Sequence, residues 1–331
     1  MLIIDGNHGE GGGQLVRTAV ALSIVFNKEI KVKKIRAGRD KSGLKTQHLY
    51  AIKALQELTN AEVSGLSLGS SELVFKPSKW VKDEAVINIP TAGSIGLVIQ
   101  CLLPALITAP KETNVSFIGG ATCGKWSPSL DYINNVLFPN LELIGVKKPE
   151  LIIEQQGYYP KGGALVKLKV QPSKIKPLIV KDKGKVLNFK GLSHASNFLK
   201  NRRVAERQAI AAKELIKDLK IKTTYSESLC PGSSITLWAE GEKSIIGADS
   251  LGEIGKTSET VGREAANKLL KELTQGAFDS HTTDMLIPYI ALAGKGEITT
   301  SSISSHTKTN IWLCEQFIKK RFNINGLKIK L

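Results

Sequence analysis

Leu2-Ile3-Ile4-Asp5-Gly6-Asn7-His8-Gly9-Glu10-Gly11-Gly12-Gly13-Gln14-Leu15-Val16-Arg17 is a strand-like run, a glycine-rich turn and the opening of a helix. Leu15, Ala19, Leu22 and Phe26 then share one helical face, so the spacing predicts a helix over Gln14 to Phe26. A strand over Glu29 to Ile35 follows, then a helix over Leu44 to Leu58 with His48, Ile52, Leu55 and Leu58 aligned. Two short strands near Glu62 to Ser67 and Leu73 to Lys76 close the unit. The same order returns: strand Ala85 to Asn88, helix from Ser94, strand Asn114 to Ile118, helix from Ser129, and strands near Leu151 to Glu154 and Ala164 to Val170. A third copy comes at the C-terminus, with a helix from about Thr283, strand Glu297 to Ser301, a helix over Lys308 to Lys320 and final strands ending at Leu331. Three βαβαββ units in an α/β (α+β) fold are expected. Residues 179 to 273 break the pattern around a helix over Arg203 to Lys220, whose Ala205, Ala209, Ala212, Ile216 and Leu219 form one apolar stripe. The expected organisation is a large repeat domain at 1–178 and 274–331, with a small α/β domain inserted at 179–273.

The balance of 46 Lys and Arg against 30 Asp and Glu leaves a net charge of +16. Such an excess attracts polyanions and gains counterion-release free energy on binding them. Nucleic acid and a merely solvated basic surface account for it equally well on charge alone. The excess is uneven, since residues 161 to 220 hold sixteen Lys and Arg and four Asp and Glu, a local balance of +12. The four cysteines, Cys101, Cys123, Cys230 and Cys314, are far apart and have no zinc-site spacing, as expected of buried thiols in a reducing cytoplasm. The most apolar window, Ile95 to Ala109, is broken by Gln100 and Pro104 and is too short to span a bilayer, so neither a membrane helix nor a signal peptide is expected.

Three segments carry chemistry. The turn His8 to Arg17 offers backbone N–H groups at a helix N-terminus, a phosphate site by dipole and geometry, without the Walker lysine or the Rossmann spacing. Glu10, lodged among glycines, could approach a metal-bound triphosphate, and Arg17 could reach back toward the turn; a tight turn with a solvated glutamate is the plainer reading. Arg36, Arg39 and Lys41, in Ile35-Arg36-Ala37-Gly38-Arg39-Asp40-Lys41, fit phosphate binding or a solvated basic loop. In Ser304-Ser305-His306-Thr307-Lys308-Thr309, a histidine sits between a strand and a helix. An imidazole there could attack an activated phosphorus, with Lys308 neutralising charge, although such a histidine is more often a cap or solvated. His8 borders the first turn, His48 belongs to an apolar face, and His194 and His281 carry no pattern.

Together these motifs resemble the RNA 3'-terminal phosphate cyclases over essentially the whole chain. The resemblance rests on Asp5-Gly6, Gly9 to Gln14 with Arg17, Ile35 to Arg39, Gln47-His48-Leu49, Thr91 to Ser94, Tyr159 to Gly163, Val204 to Arg207, and His306 to Thr309. It implies repeats similar to the C-terminal fold of translation initiation factor 3. It implies too a reaction with ATP and Mg2+ or Mn2+ in which His306 takes up AMP and passes it to an RNA 3'-phosphate, whose 2'-oxygen then closes a 2',3'-cyclic phosphate. Carried over by motif, Glu10 holds metal, and Arg17, Arg36, Arg39 and Lys308 hold phosphate or RNA. Gln100, Pro128, Tyr132 and Asp284 border the nucleotide, with Pro128 and Tyr132 packing the adenine. Met285, where the family commonly has glutamine, and Thr46, where some members have arginine, depart from the pattern. The rival readings are a non-catalytic cyclase-like protein of ribosome biogenesis, which lacks the histidine, and an enolpyruvyl transferase on a similar repeated fold.

Overall fold

The computed structural model describes residues 1–331. The first repeat runs β1 (Leu2–Asp5), α1 (Gly13–Val25), β2 (Ile30–Lys33), α2 (Thr46–Thr59), β3 (Glu62–Ser64) and β4 (Leu73–Lys76). β1 and β2 are parallel with Leu2 opposite Ile30, so α1 is a crossover connection, and antiparallel β4 and β3 complete the order β1-β2-β4-β3. The second repeat repeats the plan with β5 (Glu84–Ser94), α3 (Ile95–Leu106) and β6 (Thr113–Ala121). Its second helix is composite: α4 (Leu130–Tyr132), a π-helical stretch Ile133–Leu137, and α5 (Phe138–Glu142). With β7 (Glu150–Gln155) and β8 (Leu165–Val170) the sheet order is β5-β6-β8-β7.

The third repeat opens at β9 (Leu178–Val180), and only then does the chain leave for the insertion. That excursion comprises β10 (Val186–Ser196), a 3-10 turn at Asn197–Arg202, α6 (Val204–Lys213), β11 (Lys220–Ser226), β12 (Ser233–Gly241), β13 (Ile245–Leu251) and α7 (Ser258–Glu272). The chain returns through α8 (Ser280–Ala293), β14 (Gly296–Thr299), α9 (Ser305–Phe317), β15 (Asn323–Asn325) and β16 (Lys328–Lys330). Since β9 pairs in parallel with β14, Leu178 opposite Gly296, the third sheet also has the order first, second, fourth, third strand.

Three expectations change. Ile179 and Val180 lie in β9 of the third sheet, not in the insertion; a three-residue strand with a single buried side chain, Leu178, has no periodicity to read. The insertion's helix stops at Lys213 rather than Lys220, although Ile216 and Leu219 stay buried beyond it. Helix α9 begins at Ser305, which moves His306 from a loop into a helical first turn. Ser304 caps it, its hydroxyl accepting from the Thr307 N–H at 2.9 Å.

Alternating burial along β5 and β8 leaves one sheet face in solvent and turns the other onto the helices. One continuous apolar core runs through all three repeats, including Leu15 of α1, Leu102 of α3 and Leu286 of α8. The insertion has its own core, where Ile235, Leu237 and Ile246 meet Ala212 of α6 and Val261 and Leu269 of α7. Between the two, Tyr132 and Val136 pack on Trp238, and Asn140 exchanges two hydrogen bonds with the Ile245 backbone, of 2.7 and 3.0 Å. Below them His194 bridges the Asp131 carboxylate at 3.1 Å and the Tyr158 hydroxyl at 2.8 Å, all three buried. All four cysteines are buried free thiols, and no helix is long and apolar enough to cross a membrane.

Candidate active site

The glycine-rich turn closes against the N-terminal end of α9. Gly9 and Gly11 both take left-handed backbone, φ +60° and +58°, and a Cβ on Gly9 would lie 2.6 Å from the Thr309 hydroxyl. His8 stacks on Trp312, with ring centroids 3.7 Å apart. Ser305, Thr309 and Trp312 recur at four- and three-residue spacing, so one helix face receives the turn.

Glu10 is thereby delivered to His306, its Oε2 accepting from Nδ1 at 2.6 Å, while Oε1 accepts from Arg39. The Ser305 hydroxyl stands 3.5 Å from the same Oε2. Because a carboxylate can only accept, Nδ1 of His306 carries a proton, so in the neutral ring the lone pair sits on Nε2, on a side chain 44% exposed. Asn7, which sequence reasoning passed over, joins the glycine-rich turn to the basic loop by accepting from the Gly38 N–H at 2.8 Å. Its position just after Asp5-Gly6 was the available signal.

Behind the turn lies a group of cations short of counter-charge. Arg17 is only 6% exposed and has neither an ion-pair partner nor a side-chain hydrogen bond; burial pushes its guanidinium down to about 10, with Arg36 pushing the same way. Arg36 is likewise lowered by burial and by Arg39, and it donates to the Lys41 carbonyl at 2.7 Å. His48 is buried and held well below the ordinary imidazole range, chiefly by burial and then by Arg17, Arg36 and Lys45. A buried unpaired cation is costly, so this pocket calls for an anion from outside.

Of the expected site residues, the structure brings Glu10, Arg39 and His306 into contact and groups Arg17 with Arg36 behind them. Lys308 stands apart: exposed, without an ion pair, and about 200° around α9 from His306. Asp284, expected beside base and ribose, has its carboxylate taken by the Ser304 hydroxyl at 2.6 Å and by the Thr307 hydroxyl, and its backbone carbonyl accepts from Asn310 at 2.7 Å. Burial raises its pKa against those hydrogen bonds. It therefore pins the start of α9 and, through it, His306. The Gln100 amide donates to the Met285 sulfur, so the methionine that departs from the family pattern still meets the pocket's glutamine. Tyr132 is buried, its hydroxyl donating to Asp279 and lying 2.8 Å from that of Thr282, so it forms a wall and offers no open ring face; Pro128, just before α4, stays half-buried with its carbonyl against Gly96 of α3.

Glu10 is the only carboxylate touching His306, and no group of three or more potential ligands gathers anywhere in the chain. The two Glu10 oxygens already serve His306 and Arg39, so a hard cation here would share that carboxylate with them and take its other ligands from substrate phosphates.

Comparison with known proteins agrees with this geometry. The family model for RNA 3'-terminal phosphate cyclase matches residues 8–324. A protein of Pyrococcus abyssi named RNA 3'-terminal phosphate cyclase is 44% identical over 98% of this chain and 96% of its own length. Like-named proteins of Thermococcus gammatolerans, at 44% over 98% and 94%, and of Ignicoccus hospitalis, at 43% over 96% and 93%, are similar along their length as well. A histidine freed at one nitrogen by a carboxylate, an anion-seeking arginine pocket behind it, and a match along nearly all of the chain lead to one assignment: the chain belongs to the RNA 3'-terminal phosphate cyclase family.

Proposed function

We propose that the protein uses ATP to convert the 3'-phosphate of an RNA end into a 2',3'-cyclic phosphate, with His306 as the residue that is adenylylated. The observation that carries this reading is the 2.6 Å contact between Glu10 and Nδ1 of His306, which leaves Nε2 free and half-exposed. Nε2 attacks the α-phosphorus of ATP; a P–N bond forms, the bond to the bridging oxygen breaks, and pyrophosphate leaves. Arg17, Arg36 and Arg39 neutralise the phosphates, and Glu10 stabilises the positive charge that develops on the ring. An oxygen of the RNA 3'-phosphate then attacks the same phosphorus and expels the imidazole, giving an RNA-adenylate. Finally the vicinal 2'-oxygen attacks the 3'-phosphorus, gives up its proton and expels AMP. The ribose already holds that oxygen at reacting distance, so the step needs orientation more than power. A Mg2+ or Mn2+ ion would be held by Glu10 together with the nucleotide and would supply charge neutralisation on the triphosphate.

Incubation with α-labelled ATP should label the native protein, and His306→Ala should show neither label nor cyclisation at an unchanged melting temperature. Cyclisation by that variant at the native rate overturns the assignment of the nucleophile.

A further inference from the structure

The chain has 19 Phe, Trp and Tyr residues, and only three are exposed: Trp126 at 94%, Tyr159 at 80% and Phe198 at 62%. They sit on three loops along the seam between the second repeat and the insertion, and those loops adjoin. The Thr122 N–H donates to the Gly157 carbonyl at 2.9 Å, tying the loop of Trp126 to the hairpin of Tyr159. Gly232 lies flat against the Tyr158 ring and accepts from the Ser196 N–H at 2.9 Å, tying that hairpin to the start of the 3-10 turn that carries Phe198. Asn197 closes the link by donating to Glu227 at 2.5 Å. Trp126 also takes left-handed backbone, φ 59°, a costly conformation for a bulky side chain that packing does not repay at that exposure.

Cations accompany the aromatics. Lys161 lies two residues beyond Tyr159, and Lys200, Arg202 and Arg203 follow Phe198; all four are exposed and none has a carboxylate partner. Exposed rings interleaved with unpaired cations are the chemistry that binds a single-stranded nucleic acid, the rings stacking on bases and the cations following the backbone. A duplex hides its base faces and would gain little from the rings. Chain connectivity joins the seam to the catalytic pocket: Trp126 lies on the segment entering α4, Tyr132 of that helix shares a packed cluster with Met285, and the neighbouring Asp284 positions His306.

We infer that the RNA body upstream of the reacting 3'-end runs as a single strand along this seam, stacking bases on Trp126, Tyr159 and Phe198. The inference rests on the cyclase reading for its choice of RNA, but stacking itself does not require a 2'-hydroxyl. A single-stranded deoxyoligonucleotide should therefore compete for the seam without being cyclised.

The test is fluorescence anisotropy of an end-labelled single-stranded oligoribonucleotide of about ten nucleotides with the full chain. Tyr159→Ala, Phe198→Ala and Trp126→Ala should each weaken binding roughly fivefold or more. Trp126→Phe, Tyr159→Phe and Phe198→Tyr should restore it, and a blunt duplex should not distinguish native from variant. Adenylylation by α-labelled ATP should be unchanged in Tyr159→Ala and Phe198→Ala. Native affinity in the triple alanine variant overturns the inference and leaves the rings to a partner of another kind. A native protein that takes no AMP from ATP overturns the catalytic reading instead, and the binding result then still decides the seam.

Discussion

Arg17 shows how far this molecule departs from what folding alone would select. A guanidinium pushed down to about 10 by burial opposes folding by about 3 kcal/mol at neutral pH, at 1.36 kcal/mol per pKa unit. Arg17→Met should therefore raise the melting temperature of the free protein. It should also abolish the further rise that ATP gives the native protein, because ligand stabilisation follows affinity for the folded state. Thermal melts with and without ATP check both outcomes, and a variant that loses stability while keeping the ATP effect contradicts this account. His48 gives a pH signature of definite sign. Its folded pKa lies well below the ordinary value, so on acidification the unfolded chain takes up the proton first. The contribution is fully present above about pH 6.5 and is lost as pH falls from there toward the folded pKa. His48→Gln should flatten stability against pH in that window, as measured by denaturant unfolding across the range. Sequence reasoning placed His48 on a packed helix face, where it is buried, and expected Arg17 to meet phosphate. It could not find that Arg17 lacks a partner, since an absent neighbour leaves no mark on spacing.

Helix α9 carries His306, the proposed nucleophile, and its first turn is over-determined. Ser304 caps it, Asp284 receives the Ser304 and Thr307 hydroxyls, and Gly9 presses close to Thr309. Asp284→Ala should slow adenylylation on the order of tenfold to a hundredfold, because a small misplacement of the nucleophile is enough. Asp284→Asn keeps an oxygen able to accept both hydroxyls and should retain most of the rate. Single-turnover label incorporation distinguishes the two, and equal losses would favour a direct role at the nucleotide. Most elements of the repeats were legible because each helix had an apolar stripe and each strand its alternation. The start of α9 was misjudged by about a turn since Ser305, His306, Thr307 and Lys308 carry no apolar stripe; Ser304 as a cap was the signal that could have corrected it. β9 escaped for the opposite reason, as three residues are too few to show a period.

At the scale of the whole molecule, the insertion is joined to the repeats through buried polar groups as well as apolar contact. His194 spans Asp131 and Tyr158, and neither the histidine nor its partners formed a pattern in the sequence, because β10, α4 and the hairpin after β7 are brought together only by the fold. His194→Ala leaves a buried carboxylate and hydroxyl without their partner, at a cost on the order of 2–4 kcal/mol. Calorimetry should then resolve the insertion, which has a separate core, as an earlier transition than the repeats. A single cooperative transition at the native temperature would show that the apolar contacts alone hold the two parts together.

The placement of the insertion also sets an order of events during synthesis. β9 is translated before the excursion, yet its hydrogen-bonding partner β14 emerges only after it, a delay on the order of ten seconds at ordinary ribosomal rates. During that interval α8 and α9 have not yet been made, so the parts of α3 and α1 that they cover in the finished fold stay uncovered. The nascent chain is thus most vulnerable to association with its neighbours while its smallest domain is being assembled.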